Sequence, residues 1–446
     1  MTKRTPPTHL SWKVGLPVLL VLALGVDGFA THTLTYFQSA ALIPLLYSVI
    51  VFTIGAVFYS PRPRGERLPD EELPMVSVLI PAHNEENVIA HTLSHMLRLD
   101  YPRYEIIVID DHSSDRTGEI LREFPVKVVT RRNLPNRGKS EALNAGLEVA
   151  EGDVLCVFDA DTEVAPDFLR LAVAPLVQDP EVCGVQAQVR MYNRGVNFLT
   201  AGQDDEFALY SEITQVGRER LRGAAALGGN GQLTRRSAIK ALGGWSPAAL
   251  TEDLDLTMRL FLAGRGRIAH CSEAIVWQEG VPDFGALIRQ RTRWAEGMLR
   301  CWGEFAWPML ISREVPLGLK LDSLYFLGSV FLPSFTVTSL VFSVASFVPG
   351  LFTHALPDHV GDMISSALLI ATCSWSLVIS YKRDRRLDVL PGLRSMVYLL
   401  HWIPALTLAM RNVFMDAPVV WEKTEHRGQG LISTTMPVAV GTVAES

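Results

Sequence analysis

The sequence predicts an α/β fold: a mostly parallel, Rossmann-like sheet inserted between transmembrane helices, with amphipathic helices at the membrane interface. Three observations predict it. Short apolar strands alternate with helical patterns between Val76 and Phe158, the pattern of βαβ units and a parallel sheet. Charge-poor runs of membrane-spanning length gather toward the two ends of the 446-residue chain. Between them, carboxylates recur where predicted strands end.

The apolar runs come first. Val14 to Ala30 is apolar except for Asp27, and Phe37 to Tyr59 carries no charge. Ser323 to Phe352 is charge-free, and Met363 to Tyr381 is again apolar. About 20 apolar residues cross a bilayer as a helix, so four spans are expected. The first also resembles a signal peptide, because Lys3, Arg4 and Lys13 precede a short apolar core. Arg62, Arg64 and Arg67 follow the second run, and Lys382, Arg383, Arg385 and Arg386 follow the fourth. Thr31 to Tyr36 and Pro349 to Asp362 hold no Lys or Arg. The positive-inside rule then places the middle of the chain and both termini in the cytoplasm of a multi-pass inner-membrane protein. Leu390 to Met410 contains Pro391, Arg394, His401 and Pro404, which favours a helix lying in the interface.

The expected divisions are transmembrane helices over 1–60, a linker over 61–74 and a cytosolic domain over 75–282. Interfacial helices follow over 283–322, transmembrane helices over 323–381, and an interfacial helix with a cytosolic tail over 382–446. A net charge of −6 is spread out and implies no nucleic-acid partner. The five cysteines lack paired or metal-type spacing, as expected of reduced thiols.

Within the middle, the strand from Val76 runs into the turn Pro81 to Glu86 and a helix from Asn87 to Leu99. A strand at Glu105 to Asp111, a helix at Asp115 to Phe124 and a strand at Val126 to Arg131 follow. A helix over Lys139 to Ala150 leads to the strand at Val154 that ends in Asp159-Ala-Asp161. Ligands bind outside the carboxyl ends of such strands. Asp159 and Asp161 there suit either a divalent cation shared with a phosphate or a turn that caps the next helix. A carboxylate cluster this dense repels itself unless a cation or hydrogen-bond donors compensate. No G-x-G-x-x-G follows the first strand and no P-loop is present, which argues against a dinucleotide site or a P-loop NTPase. Arg137-Gly-Lys139 is either a solvated turn or a Lys that reaches a nucleotide.

The second half of the domain is less regular. Gly228-Gly-Asn-Gly231 and Gly243-Gly244 mark loops or close backbone approach. Thr251-Glu-Asp253 opens a helix with Thr251 as N-cap. There Glu252 and Asp253 either complement the helix dipole, or Asp253 points into the cleft as a base. Phe284 to Trp302 reads as an amphipathic helix. Phe284, Ile288, Ala295, Met298 and Trp302 share one face, with Arg289, Gln290, Arg293, Glu296 and Arg300 opposite. Arg291 falls among the apolar residues and is expected to snorkel. Arg293 suits a phosphate.

Pro81-Ala-His-Asn-Glu-Glu86, Ile109-Asp-Asp111, Gly138-Lys139, Asp159-Ala-Asp161, Thr251-Glu-Asp253 and Gln290-Arg-Thr-Arg-Trp294 occur in one order. That order resembles family-two glycosyltransferases, and the last motif looks like Q-x-x-R-W of the processive cellulose, hyaluronan, chitin and poly-N-acetylglucosamine synthases. Trp421 to His426 is similar to a short tail motif of bacterial members, loosely a gating loop. The resemblance implies a GT-A fold. Ala82, Glu85, Asp110 or Asp111, and Lys139 would hold the uridine end of a UDP-sugar. Asp159 and Asp161 would face the diphosphate and hold Mg²⁺ or Mn²⁺. Asp253 would deprotonate the acceptor hydroxyl. Gln290, Arg291 and Arg293 would stabilise the leaving diphosphate, and Trp294 with Glu252 would meet the acceptor. The expected activity is processive, inverting polymerisation with polysaccharide export, from UDP-N-acetylglucosamine first and UDP-glucose second. The alternative is transfer of one sugar to a membrane lipid. Gly229-Asn-Gly-Gln232 departs from the usual acceptor loop. Fewer membrane helices than in cellulose synthases imply a partner subunit or a second copy.

Overall fold

The structure, a computed structural model, describes residues 47–59, 68–132, 138–222, 225–331, 374–382, 386–417 and 426–428. The expected span Val14 to Ala30 lies outside these residues, as do 37–46, 332–352 and 363–373 of the other three. Among the described residues, one helical stretch, Leu390–Phe414, is long and apolar enough to cross a membrane.

The strands are β1 (Val76–Ala82), β2 (Tyr104–Asp111), β3 (Lys127–Arg131), β4 (Val154–Val157), β5 (Glu163–Val164), β6 (Val182–Met191), β7 (Gln232–Arg235) and β8 (Arg267–Gln278). They form one eight-stranded sheet in the order β3-β2-β1-β4-β7-β6-β8-β5. Only β7 and β5 run against the rest. The register sets Ala82 beside Asp110 and Leu79 beside Val157. The ends of β1, β2 and β4 therefore open on one edge.

The helices are α1 (Tyr47–Phe58), α2 (Ile89–Met96), α3 (Thr117–Leu121), α4 (Lys139–Val149), α5 (Phe168–Gln178), α6 (Phe198–Ala208), α7 (Val216–Arg222), α8 (Arg236–Ala241), α9 (Glu252–Leu262), α10 (Phe284–Ile311) and α11 (Leu317–Gly328). After α12 (374–382) come α13 (Leu390–Tyr398) and α14 (Trp402–Phe414). Side chains alternate across a strand, so each strand feeds two cores. Val78, Ile80, Ile106 and Val108 pack with Leu93 of α2 and Phe168 of α5. Leu79, Ile107 and Ile109 pack with Leu143 of α4 and Met258 of α9. Burial on both faces is why these strands read as continuous apolar runs.

The differences from expectation are local. α2 and α3 are shorter than Asn87 to Leu99 and Asp115 to Phe124. α10 runs on past Trp302 to Ile311. The irregular second half resolves into β6, β7 and β8, with α6 continuing as a π-helix over Leu209–Gln215. α1 crosses that segment where Gly55 meets the Ile213 carbonyl and Gly217 meets the Val51 carbonyl, contacts with no room for a Cβ. A fully buried Arg218–Asp322 pair, 2.8 Å apart, fastens α7 to α11, and Tyr47 of α1 donates to the same carboxylate at 2.7 Å. α14 buries Leu406, Ala409 and Val413 against Ala295 and Leu299 of α10. It leaves Leu408 and Phe414 exposed.

Candidate active site

At the end of β1 the chain turns through Asn84, whose φ is 55°. Its Oδ1 accepts from Ser114 N at 2.7 Å, and Glu85 N donates to Thr117 Oγ1 at 2.7 Å. Ala82 and Glu85 are thereby fixed on the cleft wall. At the end of β2, Asp111 also lines the cleft, with its Oδ1 2.7 Å from Arg131 Nη1. Asp110 is buried but is not among the lining residues. Its Oδ1 accepts from Ser113 N at 3.3 Å, which shapes the loop instead.

Lys139 opens α4, and its Nζ reaches Asp159 at 2.6 Å and Glu252 at 3.1 Å. Burial alone would lower its pKa, but the two carboxylates outweigh burial and raise it. The Asp159–Asp161 loop is held by Asn230, whose Oδ1 accepts from Asp159 N at 3.2 Å and Thr162 Oγ1 at 3.1 Å. Glu279 N donates to Asp161 at 2.7 Å. Burial, with Asp159 and Glu85 nearby, pushes the Asp161 carboxyl up to about 6 against the pull of His426.

His426 lies 341 residues from Glu85 in the chain, yet its Nδ1 sits 3.1 Å from that carboxylate. Its Nε2 is 3.7 Å from Asp161 Oδ2. Arg427 N and Gly428 N each donate to Glu279 at 3.0 Å. His426, the last residue of the tail motif, thus stands at the carboxylate cluster; the rest of the motif lies outside the described residues. Sequence reasoning named the motif but not this residue's position.

Thr251 occupies the N-cap of α9 but makes no side-chain cap. Its hydroxyl lies 3.8 Å from Cys301 Sγ. Asp253 follows, its Oδ1 accepting from Leu254 N at 2.8 Å. Burial and the adjacent Glu252 push its carboxyl up to about 7, with Lys139 opposing. Gly229 approaches closely with a φ of +77°, where a Cβ would stand 3.1 Å from Asp253 Oδ2. An L-residue there would be strained and would crowd the carboxylate.

One turn of α10 supplies Gln290, Arg293 and Trp294 to the same cavity. Burial lowers the Arg293 pKa, and Glu252, Asp253 and Asp159 oppose that shift; a guanidinium stays charged regardless. Arg291 takes a different course from the expected diphosphate contact and from snorkelling. It is fully buried, 2.7 Å from Glu206 Oε2, and lies 4.0 Å over the Trp294 ring. It braces Trp294 from behind. Glu206 also accepts from Trp402 Nε1 at 2.8 Å.

α6 thus carries Asp204, Asp205 and Glu206 in a row, each bound to a different arginine. Arg190 Nε holds Asp204 at 2.8 Å and Arg394 Nε holds Asp205 at 2.6 Å, while Arg291 holds Glu206. This brace went unforeseen, although three successive acids in an apolar setting were visible in the sequence. Glu85, Asp111, Lys139, Asp159, Asp161, Glu252, Asp253, Arg293 and His426 border one cavity of about 480 Å³, while Asp204, Asp205 and Arg291 lie behind its wall. The same cavity is lined by Phe207, Tyr210, Trp294, Met298, Phe326 and Trp402, among which the Phe207 and Trp294 rings lie 6.1 Å apart and those of Tyr210 and Phe326 6.3 Å apart.

A sheet that opens its strand ends onto such a cleft is GT-A-like, and the protein is a glycosyltransferase. More particularly, residues 74–297 match the family described as "Glycosyltransferase like family 2", and the chain belongs to it. It is 32% identical over 441 residues to a beta-monoglucosyldiacylglycerol synthase of Trichormus variabilis, covering 95% of this chain and 91% of that one. A poly-beta-1,6-N-acetyl-D-glucosamine synthase of Staphylococcus epidermidis is 29% identical over 68% of this chain and 74% of its own length. A mannosyltransferase from Pyrobaculum calidifontis, solved with GDP-mannose and Mn²⁺, superposes with a TM-score of 0.56 at 19% identity. That match covers 86% of this chain and 98% of the other.

Proposed function

We propose that this enzyme transfers one hexosyl group from a UDP-sugar to the hydroxyl of a membrane glycerolipid, with inversion. The observation that carries the reading is a cavity lined both by carboxylates and by a set of aromatic side chains. A diacylglycerol matches that pairing, a hydroxyl on an apolar body. The relative matched over nearly the whole chain is named for such an acceptor. The polymerising reading that Gln290 to Trp294 suggests rests on relatives aligned over less of the chain.

Ala82, Glu85, Asp111 and Lys139 lie where the uridine end would sit. Asp159, Asp161 and His426, whose Nε2 lies 3.7 Å from Asp161 Oδ2, would hold a divalent cation. Bound there, Mg²⁺ or Mn²⁺ would offset charge on the diphosphate. Asp253 accepts the proton of the acceptor hydroxyl as its oxygen bonds to the anomeric carbon. The bond from that carbon to the diphosphate oxygen breaks, and UDP leaves with the electron pair. Arg293 meets the charge that develops on the leaving group. Trp294, braced by Arg291, sets the acceptor's approach. Leu408, Phe414 and Leu390, exposed on α13 and α14, suit a place in the interface of a bilayer.

Purified protein in detergent, given UDP-glucose or UDP-N-acetylglucosamine with diacylglycerol, should release one UDP per discrete glycolipid. Polymer formed without added lipid would overturn this reading and restore the synthase.

A further inference from the structure

The cleft does not use one face of α2. His91 and His95 stand a single turn apart there, so their rings share a face, with centroids 4.8 Å apart. Glu163 of β5 completes the group, its Oε1 2.7 Å from His91 Nε2. One ligand atom from each of the three lies within 4.8 Å of the others. None of the three is fully exposed.

We propose that His91, His95 and Glu163 form a second metal site, which takes Zn²⁺ or a similar transition-metal ion and is separate from the catalytic cleft. Two imidazoles select zinc-type ions over the hard Mg²⁺ and Mn²⁺. Three protein ligands leave a fourth position open to water. His95 is already oriented, because its Nδ1 lies 3.1 Å from the Val164 carbonyl. That bond occupies Nδ1 and leaves Nε2 to ligate.

The position gives the ion a consequence. Glu163 stands two residues beyond Asp161. Thr92, between the two histidines, donates to the Ala160 carbonyl at 2.7 Å. An ion here clamps α2 to the segment that carries Asp161.

The test uses the full chain in detergent, carrying His426→Ala and excess Mg²⁺ to quiet the cleft. Calorimetric titration with Zn²⁺ should give one site. Adding His95→Ala or His91→Ala should weaken that site by roughly tenfold or more. X-ray absorption of the zinc-loaded protein, with both histidines intact, should show two imidazole ligands, so the result does not depend on how the variants fold. One imidazole or none, or affinity unmoved by either substitution, overturns the proposal.

Discussion

On the sheet side of the cleft, the carboxylates stand on strand ends and short turns. Asp111, Asp159 and Asp161 leave the sheet within a residue or a few of its hydrogen-bonded ladder. On the helical side the groups ride on α9 and α10, and buried ion pairs hold the helices around them. Arg291 and Arg293 show the contrast within one turn of α10. Arg293 faces the carboxylates across the cavity. Arg291 is sealed against Glu206. The sheet side is positioned by backbone hydrogen bonds of the strands, and the helical side by paired charges.

Asp253→Asn should break the comparison hardest at the chemical step. Removing a general base lowers turnover by roughly 10²- to 10⁴-fold, while UDP affinity should persist, since Lys139 and the strand ends are untouched. Loss of UDP binding would refute the assignment. The pH dependence has a definite sign. With its carboxyl pushed up to about 7, Asp253 is protonated and idle at lower pH, so kcat/KM should rise as pH increases through about 7. Folding disfavours the charged form, so this group costs stability as pH rises from the ordinary carboxylate range to about 7. The Asn variant should therefore melt higher than the native protein at pH 8, but not at pH 4.

Arg293→Ala should lower kcat by about 10²- to 10³-fold without changing Tm, the loss expected when one group that meets developing charge is removed. Arg291→Met should do the reverse. Breaking a buried pair costs about 3–5 kcal/mol, because the partner charge is left unpaired. Tm should fall, and the double variant with Glu206→Gln should recover part of it. If Arg291→Met retained Tm and lost only kcat, the bracing role would be wrong and direct diphosphate contact would return.

The same contrast sets what the sequence could disclose. β1, β2 and β4 are buried on both faces by apolar residues, so their pattern is local and the carboxylates after them stand out. β6 is equally buried over all ten residues, yet it contains Gln186, Gln188 and Arg190, which break the apolar run. Their compensation comes from afar: Gln186 reaches the Asn230 carbonyl at 2.8 Å and Arg190 reaches Asp204 at 2.8 Å. Helical spacing put Arg291 on the apolar face, but its partner lies 85 residues away. Asp110 and Asp111 are neighbours in sequence, and only the path of the loop separates the one that lines the cleft from the one that shapes it.

The smallest expected effects concern His426, which closes over the carboxylates of the sheet side. The tail is fastened through backbone N–H groups to Glu279, whose own N–H holds Asp161. The imidazole can therefore be removed without releasing the tail. His426→Ala should raise the Mn²⁺ concentration for half-maximal activity by roughly tenfold, with Tm unchanged. If the imidazole only packed the tail in place, Tm would fall and the metal requirement would not move. Glu279→Gln provides the converse, since it weakens the backbone anchor and leaves the imidazole intact. Its metal requirement should rise less than that of His426→Ala.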